Sequence, residues 1–423
     1  MSKLDEDAMV DQAETTMRVS TTAQPSSSGP TSVSLSPKAE CDASGGGSVS
    51  PGRILHVVES FGSGVKNSVL SYVANTPEFE HHLLWSTHAD TTVDEVDLRH
   101  FSSHERLPSG HVDRLKAVRA AVTQVVPNIV HAHSSWAGLY VRLALRPSQR
   151  LSILYTPHGY SFQRQDLPAP ARMLFRLVEW SLSFNTTMVV ACGQHEARLS
   201  AWPFRHPPIG VVPNVAHTFD TEDELDHASH GTSSSAAEPA SGPPVIVGAG
   251  RLCNAKDPAF FAATIRELRA AGIQVRAVWI GDGEEHFARD LTDANVEITG
   301  WLSRDDAGKV LREASVYLHT ARWEGFPLSV LEAASLGVPM IGRDIGALRD
   351  EGLPLLFRQP ADIVGLWRRL EDDDERQATM AFVRRLADSH SDSRQANTLR
   401  VIYGDLSGPE LTTSSATSRE AAR

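Results

Sequence analysis

The chain has almost no cysteine. Its three, Cys41, Cys192 and Cys253, lie far apart in 423 residues, and none forms a CxxC pair. A disulfide framework and a cysteine-based zinc site are therefore disfavoured, and a reducing compartment fits. Long apolar runs are missing too. No segment approaches the roughly 20 residues of a membrane-spanning helix. The opening MSKLDEDAMVDQAE is acidic and lacks the apolar stretch of a signal peptide. A cytoplasmic location is the expectation, with peripheral contact at the inner face of the membrane left open. Basic charge is short as well. The net charge of −12 weighs against a nucleic-acid partner. No GxGxxG fingerprint exists, which disfavours dinucleotide binding. No trustworthy DxD exists either: DDD (372–374) sits in a helical region and reads as a solvated charge run.

What is present is a globular composition, 41% apolar and 22% charged, at a length that suits two domains. Residues 1–50, rich in Ser, Thr, Gly and Ala, cannot bury enough apolar area to order themselves and read as a disordered tail. Short apolar runs then recur at 54–58, 83–85, 129–133, 153–159, 188–192 and 209–214, with amphipathic stretches between several of them. Strands alternating with helices predict a parallel, doubly wound domain over 51–217. An acidic, then Ser/Ala/Pro-rich segment marks a flexible linker or insert at 218–243. The alternation restarts with VIVGAG, VRAVWIG, VEITG, VYLHT and VPMIG, predicting a second such domain over 244–390. A C-terminal helix at 391–406 can return to the first domain, and 407–423 reads as a frayed tail. The fold expected is α/β, two Rossmann-like domains facing a cleft at the carboxyl ends of their strands.

Two segments carry the chemistry, AGRLCNAKDP (249–258) and TARWEGFPLSVLEAASLGVPMIG (320–342). They resemble the retaining family-four glycosyltransferases of the GT-B fold, the glycosyl transferases of group 1. That family's C-terminal domain has a strand ending in Gly-Arg, a Lys five residues on, and a Glu-x7-Glu segment. Here these positions are Arg251, Lys256, Glu324 and Glu332. GDG (281–283) and TGWLS (299–303) resemble the family as well. So do ILHVVESFGSGV, VHAHSSWAG, YTPHGYSF and VVPNV in the first half, and the likeness spans about 53–357.

The residues themselves agree with such a site. Pro327 suits the first turn of a helix and Gly337 the position past its end. A helix start offers unpaired N–H groups and partial positive charge, a ready anion site. A diphosphate there would also meet Arg251 and Lys256. Glu324 precedes the helix and Glu332 lies about two turns inside. They belong at the two ends of an elongated ligand, not in one acid–base pair.

The resemblance implies a retaining glycosyltransferase that moves a sugar from a nucleotide-diphosphate sugar to a hydroxyl acceptor, a glycan or a lipid-linked sugar, in cell-envelope polysaccharide or glycoconjugate synthesis. It implies that Arg251, Lys256, Glu324 and His158 surround the reacting bond. Glu324 would hold sugar hydroxyls and Glu332 the ribose. Gly325, Phe326, Pro327 and Leu328 would form the donor-binding turn, and Gly64 would lie near the diphosphate or the acceptor. No cofactor and no metal are expected, because the cations and the helix start can take the leaving charge. A nucleotide-sugar epimerase, a glycosyl phosphorylase and a non-catalytic nucleotide-sugar-binding protein are the alternatives. Lys66 and Asn67 are read as polar lining of the first loop. His131 and His133 are read as structural residues pointing to opposite faces of their strand, and so a poor metal pair. Trp136 and Tyr160 are candidates for an acceptor platform. Arg164, Arg172 and Arg176 are read as part of a solvated amphipathic helix in preference to a membrane contact.

Overall fold

Short β-branched runs pair in parallel when helices can cover both faces of the sheet they form. The computed structural model describes residues 51–87, 93–204, 206–216, 219 and 242–407, and contains two such sheets. The tail expected at 1–50 lies outside the described residues. The linker at 218–243 and the tail at 407–423 fall almost wholly outside them.

The first sheet has seven parallel strands in the order β3-β2-β1-β4-β5-β6-β7. They are β1 (Arg53–Val58), β2 (Glu80–Trp85), β3 (Ser103–Arg106), β4 (Ile129–His133), β5 (Ser152–Thr156), β6 (Met188–Ala191) and β7 (Ile209–Val211). The second has six, in the order β10-β9-β8-β11-β12-β13. These are β8 (Val245–Ala249), β9 (Arg276–Ile280), β10 (Glu297–Ile298), β11 (Val316–His319), β12 (Met340–Arg343) and β13 (Leu356–Phe357). Strand order reverses between β1 and β4, and again between β8 and β11. Ligands of doubly wound sheets bind beyond the carboxyl ends at such points. The loops that leave β1, β4, β8 and β11 are therefore the ones to watch, with that of β5 next to them.

Two strands escape the sequence pattern. All four residues of β3, SHER, are exposed at a sheet edge, and β13 is two residues long. A third reading is corrected at its end. The run ILYTPHG is strand only to Thr156, so His158 sits in the following loop.

Six helices matter for the site: α1 (Ser63–Asn75), α2 (Ala169–Ser183), α3 (Gln194–Ser200), α4 (Pro258–Ala270), α5 (Leu328–Ser335) and α6 (Asp392–Ser407). The last belongs to the first lobe. Ser71 donates to Gln395 at 2.7 Å, Asn75 to Asp392 at 2.9 Å, and Gln395 to the Pro213 carbonyl at 2.8 Å. Only His390 and Ser391 separate α6 from the helix Asp373–Ser389, which packs in the second lobe through Phe382, Val383 and Leu386. That helix is N-capped by Asp372, whose carboxylate accepts from the backbone of Asp374 and Glu375. The DDD run is thus in part a cap.

Beneath α2, Arg142 and Glu179 form an ion pair of 2.9 Å with almost no exposure. The Tyr155 hydroxyl donates to Glu179 at 3.0 Å, and the guanidinium lies over the Tyr155 ring. Removing one partner strands a buried charge. Arg142→Ala is expected to lower the unfolding free energy by about 3–5 kcal/mol. Urea denaturation measures this, and a loss below about 1 kcal/mol would contradict it.

Candidate active site

The second lobe's part of the candidate site starts from one glycine. Gly250 follows β8 at φ 141°, a backbone conformation that side chains rarely adopt. A Cβ there would also press on the Lys256 side chain, 2.8 Å from its Cε. The lysine stem is laid across the glycine and ends in an ion pair with Glu324. The turn that presents Lys256 is fixed from below by Asp257. This buried residue, at φ 50°, caps α4 and accepts from Arg322 at 2.7 Å and Arg343 at 2.6 Å. Thr320 donates to the Lys256 carbonyl at 3.2 Å, and the Arg322 amide donates to the Ala255 carbonyl at 2.8 Å. Lys256 and Glu324 are therefore brought together by the strands β8 and β11, at the second reversal point of the fold.

Past Glu324, Gly325 and Phe326 lead to Pro327, which is the N-cap of α5, one position before the first turn. Gly337 stands past the end with φ 69°, as expected. Glu332 lies in the second turn, largely buried. Burial raises its carboxyl pKa, and nearby Arg304 and Lys256 oppose the rise. Arg251 is exposed in the loop after β8.

The first lobe meets this turn directly. Asn214 accepts from Ser68 of α1 at 3.0 Å and donates to the Phe326 carbonyl at 3.2 Å. Arg304 donates to Asn67 on α1. Gly64, in the first turn of α1, faces Leu328: a Cβ on it would be 3.7 Å from that side chain. The backbone of His158 and Gly159 rests against Gly325 so closely that a Cβ at 325 would lie 2.7 Å from the Gly159 nitrogen. Buried Glu196 holds the other side, accepting from Gly159 at 2.7 Å and from the Cys192 amide at 2.8 Å. Further along the seam, His195 of α3 pairs with Asp350 at 2.6 Å.

Other expectations change. Lys66 is taken up by Asp97 at 2.6 Å. Tyr160 is buried and bonded to Ser200 at 2.8 Å, so it is core and offers no platform, while Trp136 remains exposed. Asn67 bridges the lobes as described. His131 and His133 do not point to opposite faces: their ring centroids are 4.2 Å apart. Residues two apart on a strand share a face.

With His56 these two rings form a group close enough for a metal ion. All six of their nitrogens already have hydrogen-bond partners, in His81, His158, Tyr403, Thr156 and one another. Burial pushes the imidazolium form out, to a pKa of about 3 for His131 and about 4 for His158. Unfolding exposes His131 at its ordinary 6.5, so below that pH the unfolded chain binds more protons and stability falls. Between pH 7.5 and pH 4 the unfolding free energy is expected to drop by roughly 3 kcal/mol from His131 alone. Urea midpoints across that range test it, and a flat profile would contradict it.

Asp257, Asn214, Glu196 and Arg304 were not found from the sequence. Asp257 alone had a local signal, an Asp followed by Pro at a helix start. The comparisons with known proteins bear on both lobes. Residues 63–215 match the Glycosyl transferase 4-like domain, and residues 243–372 match Glycosyl transferases group 1. The chain belongs to the group 1 glycosyltransferases. Its solved structural neighbours in this fold include sucrose-phosphate synthase from Thermosynechococcus elongatus, with a TM-score of 0.67 at 15% identity over 84% of this chain and 99% of that one. HepE from Anabaena, solved in complex with UDP and glucose, has a TM-score of 0.63 at 16% identity, again over 84% and 99%. They establish the GT-B fold. Among curated relatives, a UDP-Gal:alpha-D-GlcNAc-diphosphoundecaprenol alpha-1,3-galactosyltransferase from Escherichia coli is 26% identical over 52% of this chain and only 58% of its own length. An uncharacterized protein in the cps region of Klebsiella pneumoniae is 22% identical over 70% and 82%. No described helix of this glycosyltransferase is long and apolar enough to cross a membrane.

Proposed function

We propose that this chain transfers a sugar, with retention, from a nucleotide-diphosphate sugar to a hydroxyl of a lipid-linked acceptor in cell-envelope glycan synthesis. One observation carries the reading. Lys256 and Glu324 neutralise each other beside the start of α5, where the His158–Gly159 loop closes the seam. A bound donor separates that pair. Glu324 accepts from the sugar hydroxyls, and Lys256 turns to the diphosphate with the N–H groups of the helix start. As the anomeric carbon–oxygen bond breaks, negative charge grows on the phosphate, so these groups bind the transition state more tightly than the ground state. Glu332 takes the ribose end. Retention is read from the family resemblance, with the leaving phosphate accepting the acceptor's proton.

The acceptor reading has its own support. A recess of about 300 Å³ borders Glu324 and is also lined by Gln163, Gln165, Arg176, Arg322 and Trp323. Arg176 stands on α2, whose outer face exposes Met173, Leu174 and Leu177 at 68, 60 and 55%. Cations at the recess and apolar side chains beyond it match a diphosphate head and a lipid tail. The E. coli relative's acceptor is of that kind by name.

The test uses UDP-glucose, UDP-galactose and UDP-N-acetylglucosamine with a GlcNAc-diphospholipid. An α-linked product is expected. A β-linked product overturns retention, and isomerised donor without acceptor points to an epimerase. Turnover only with inorganic phosphate points to a phosphorylase. Transfer is further expected to persist in excess EDTA within about two-fold, since fixed cations and helix N–H groups supply the electrostatics. Strict metal dependence would refute the metal-free mechanism.

A further inference from the structure

A neutral imidazole donates from one nitrogen and accepts at the other, so a chain of them has a direction once one end is fixed. The first lobe contains such a chain. The Thr76 hydroxyl gives its hydrogen to the Tyr72 carbonyl at 2.6 Å. Its oxygen and the Thr76 carbonyl then face His81 Nε2, at 3.2 and 2.9 Å, as acceptors only. His81 must carry its hydrogen on Nε2. Its bare Nδ1 accepts from His56 Nε2 at 3.0 Å. His56 Nδ1 is then bare and accepts from His133 Nε2 at 3.0 Å. His133 Nδ1 accepts in turn from His158 Nε2 at 3.2 Å. His56, His81 and His133 are buried, and burial keeps each neutral by lowering its pKa. The relay runs from a carbonyl in the core to the loop that touches Gly325. His158 Nδ1 has no hydrogen-bond partner among the described residues.

We propose that His81, His56 and His133 are positioning residues that lock His158 in its Nε2–H tautomer, so that a lone pair on Nδ1, and not an N–H, meets the donor sugar. This rests on the reading of His158 as a sugar-facing group. The site then favours a donor sugar with a free hydroxyl at that point over one that is deoxygenated or O-alkylated there. A hydroxyl can donate to the lone pair, and its replacements cannot.

The experiment is two-bond nitrogen–proton correlation of the ligand-free protein at pH 7.5, with nitrogen-15 in histidine only. His158 is expected to show a bare Nδ1 and a protonated Nε2. In His133→Leu the acceptor is lost, and the His158 signals are expected to move to a mixture of tautomers. In His133→Gln the amide oxygen accepts from His158 while its N–H donates to His56, and the wild-type pattern is expected to return. Kinetically, His133→Leu is expected to raise the donor KM about 10-fold with a smaller change in kcat, and His133→Gln to stay within about 3-fold of wild type. A wild-type His158 protonated on Nδ1, or averaged between forms, overturns the lock even if His133→Leu fails to fold. His158→Ala separates the two readings. An unchanged donor KM in that variant, with the expected tautomer in the wild-type protein, overturns the sugar-facing role, and a raised KM in that variant, with mixed tautomers in the wild-type protein, overturns only the lock.

Discussion

Replacing Lys256 with Ala is expected to cut kcat/KM by about 10³-fold while leaving the protein folded. The size follows from what the ammonium does. In the ligand-free chain it pairs with Glu324 at a half-buried position, so the surroundings are set for a cation before any donor arrives. A preorganised donor aimed at developing charge needs no reorganisation when the bond breaks, which is why single such groups weigh so heavily. Folding should survive because Asp257, Arg322 and Arg343 hold the turn without help from Nζ. Steady-state kinetics with a matched thermal melt makes the measurement. A folded variant with wild-type turnover would remove the donor site from this place in the molecule.

Gly325→Ala should cost about 10²-fold in turnover for a different reason. One methyl group at 325 would sit 2.7 Å from the Gly159 nitrogen and 2.8 Å from the His158 carbonyl carbon. Both are backbone atoms, and neither can swing aside as a side chain tip would. The Gly159 nitrogen is also tied to Glu196. Either the lobes part or the Glu324 turn shifts, and reacting groups displaced by about 1 Å lose roughly this much rate. The melting temperature should hardly move, while small-angle scattering should show a larger radius of gyration. Normal activity with an unchanged radius would mean that the seam yields at no cost.

Much of this was legible from the amino acids. The alternation of apolar runs with amphipathic stretches marks both sheets, because parallel strands buried on two faces must be apolar throughout. The exposed edge strand SHER carries no such mark. The meeting of Lys256 with Glu324 beside the helix that carries Glu332 is foreshadowed in the sequence, because the three sit within two short segments at fixed spacing. The first lobe's share reads poorly. Asn67, Ser68 and Asn214 acquire their roles only when the lobes meet, and no local pattern announces that. The histidines are the sharpest case. His81, His56 and His133 come from β2, β1 and β4, which are neighbours in the sheet but not all in the chain. The shared face of His131 and His133, by contrast, follows from their spacing of two residues along β4.

The return of α6 means that the polypeptide passes from one lobe to the other twice, the second time at His390, whose ring stacks on Phe326. A body joined to another at two points keeps fewer freedoms than one hung on a single thread. It can rock about the axis through both joints, but twisting and sliding are resisted. Any opening between the lobes is thereby expected to follow one reproducible swing, with the return crossing at His390 set against the same turn that carries Glu324.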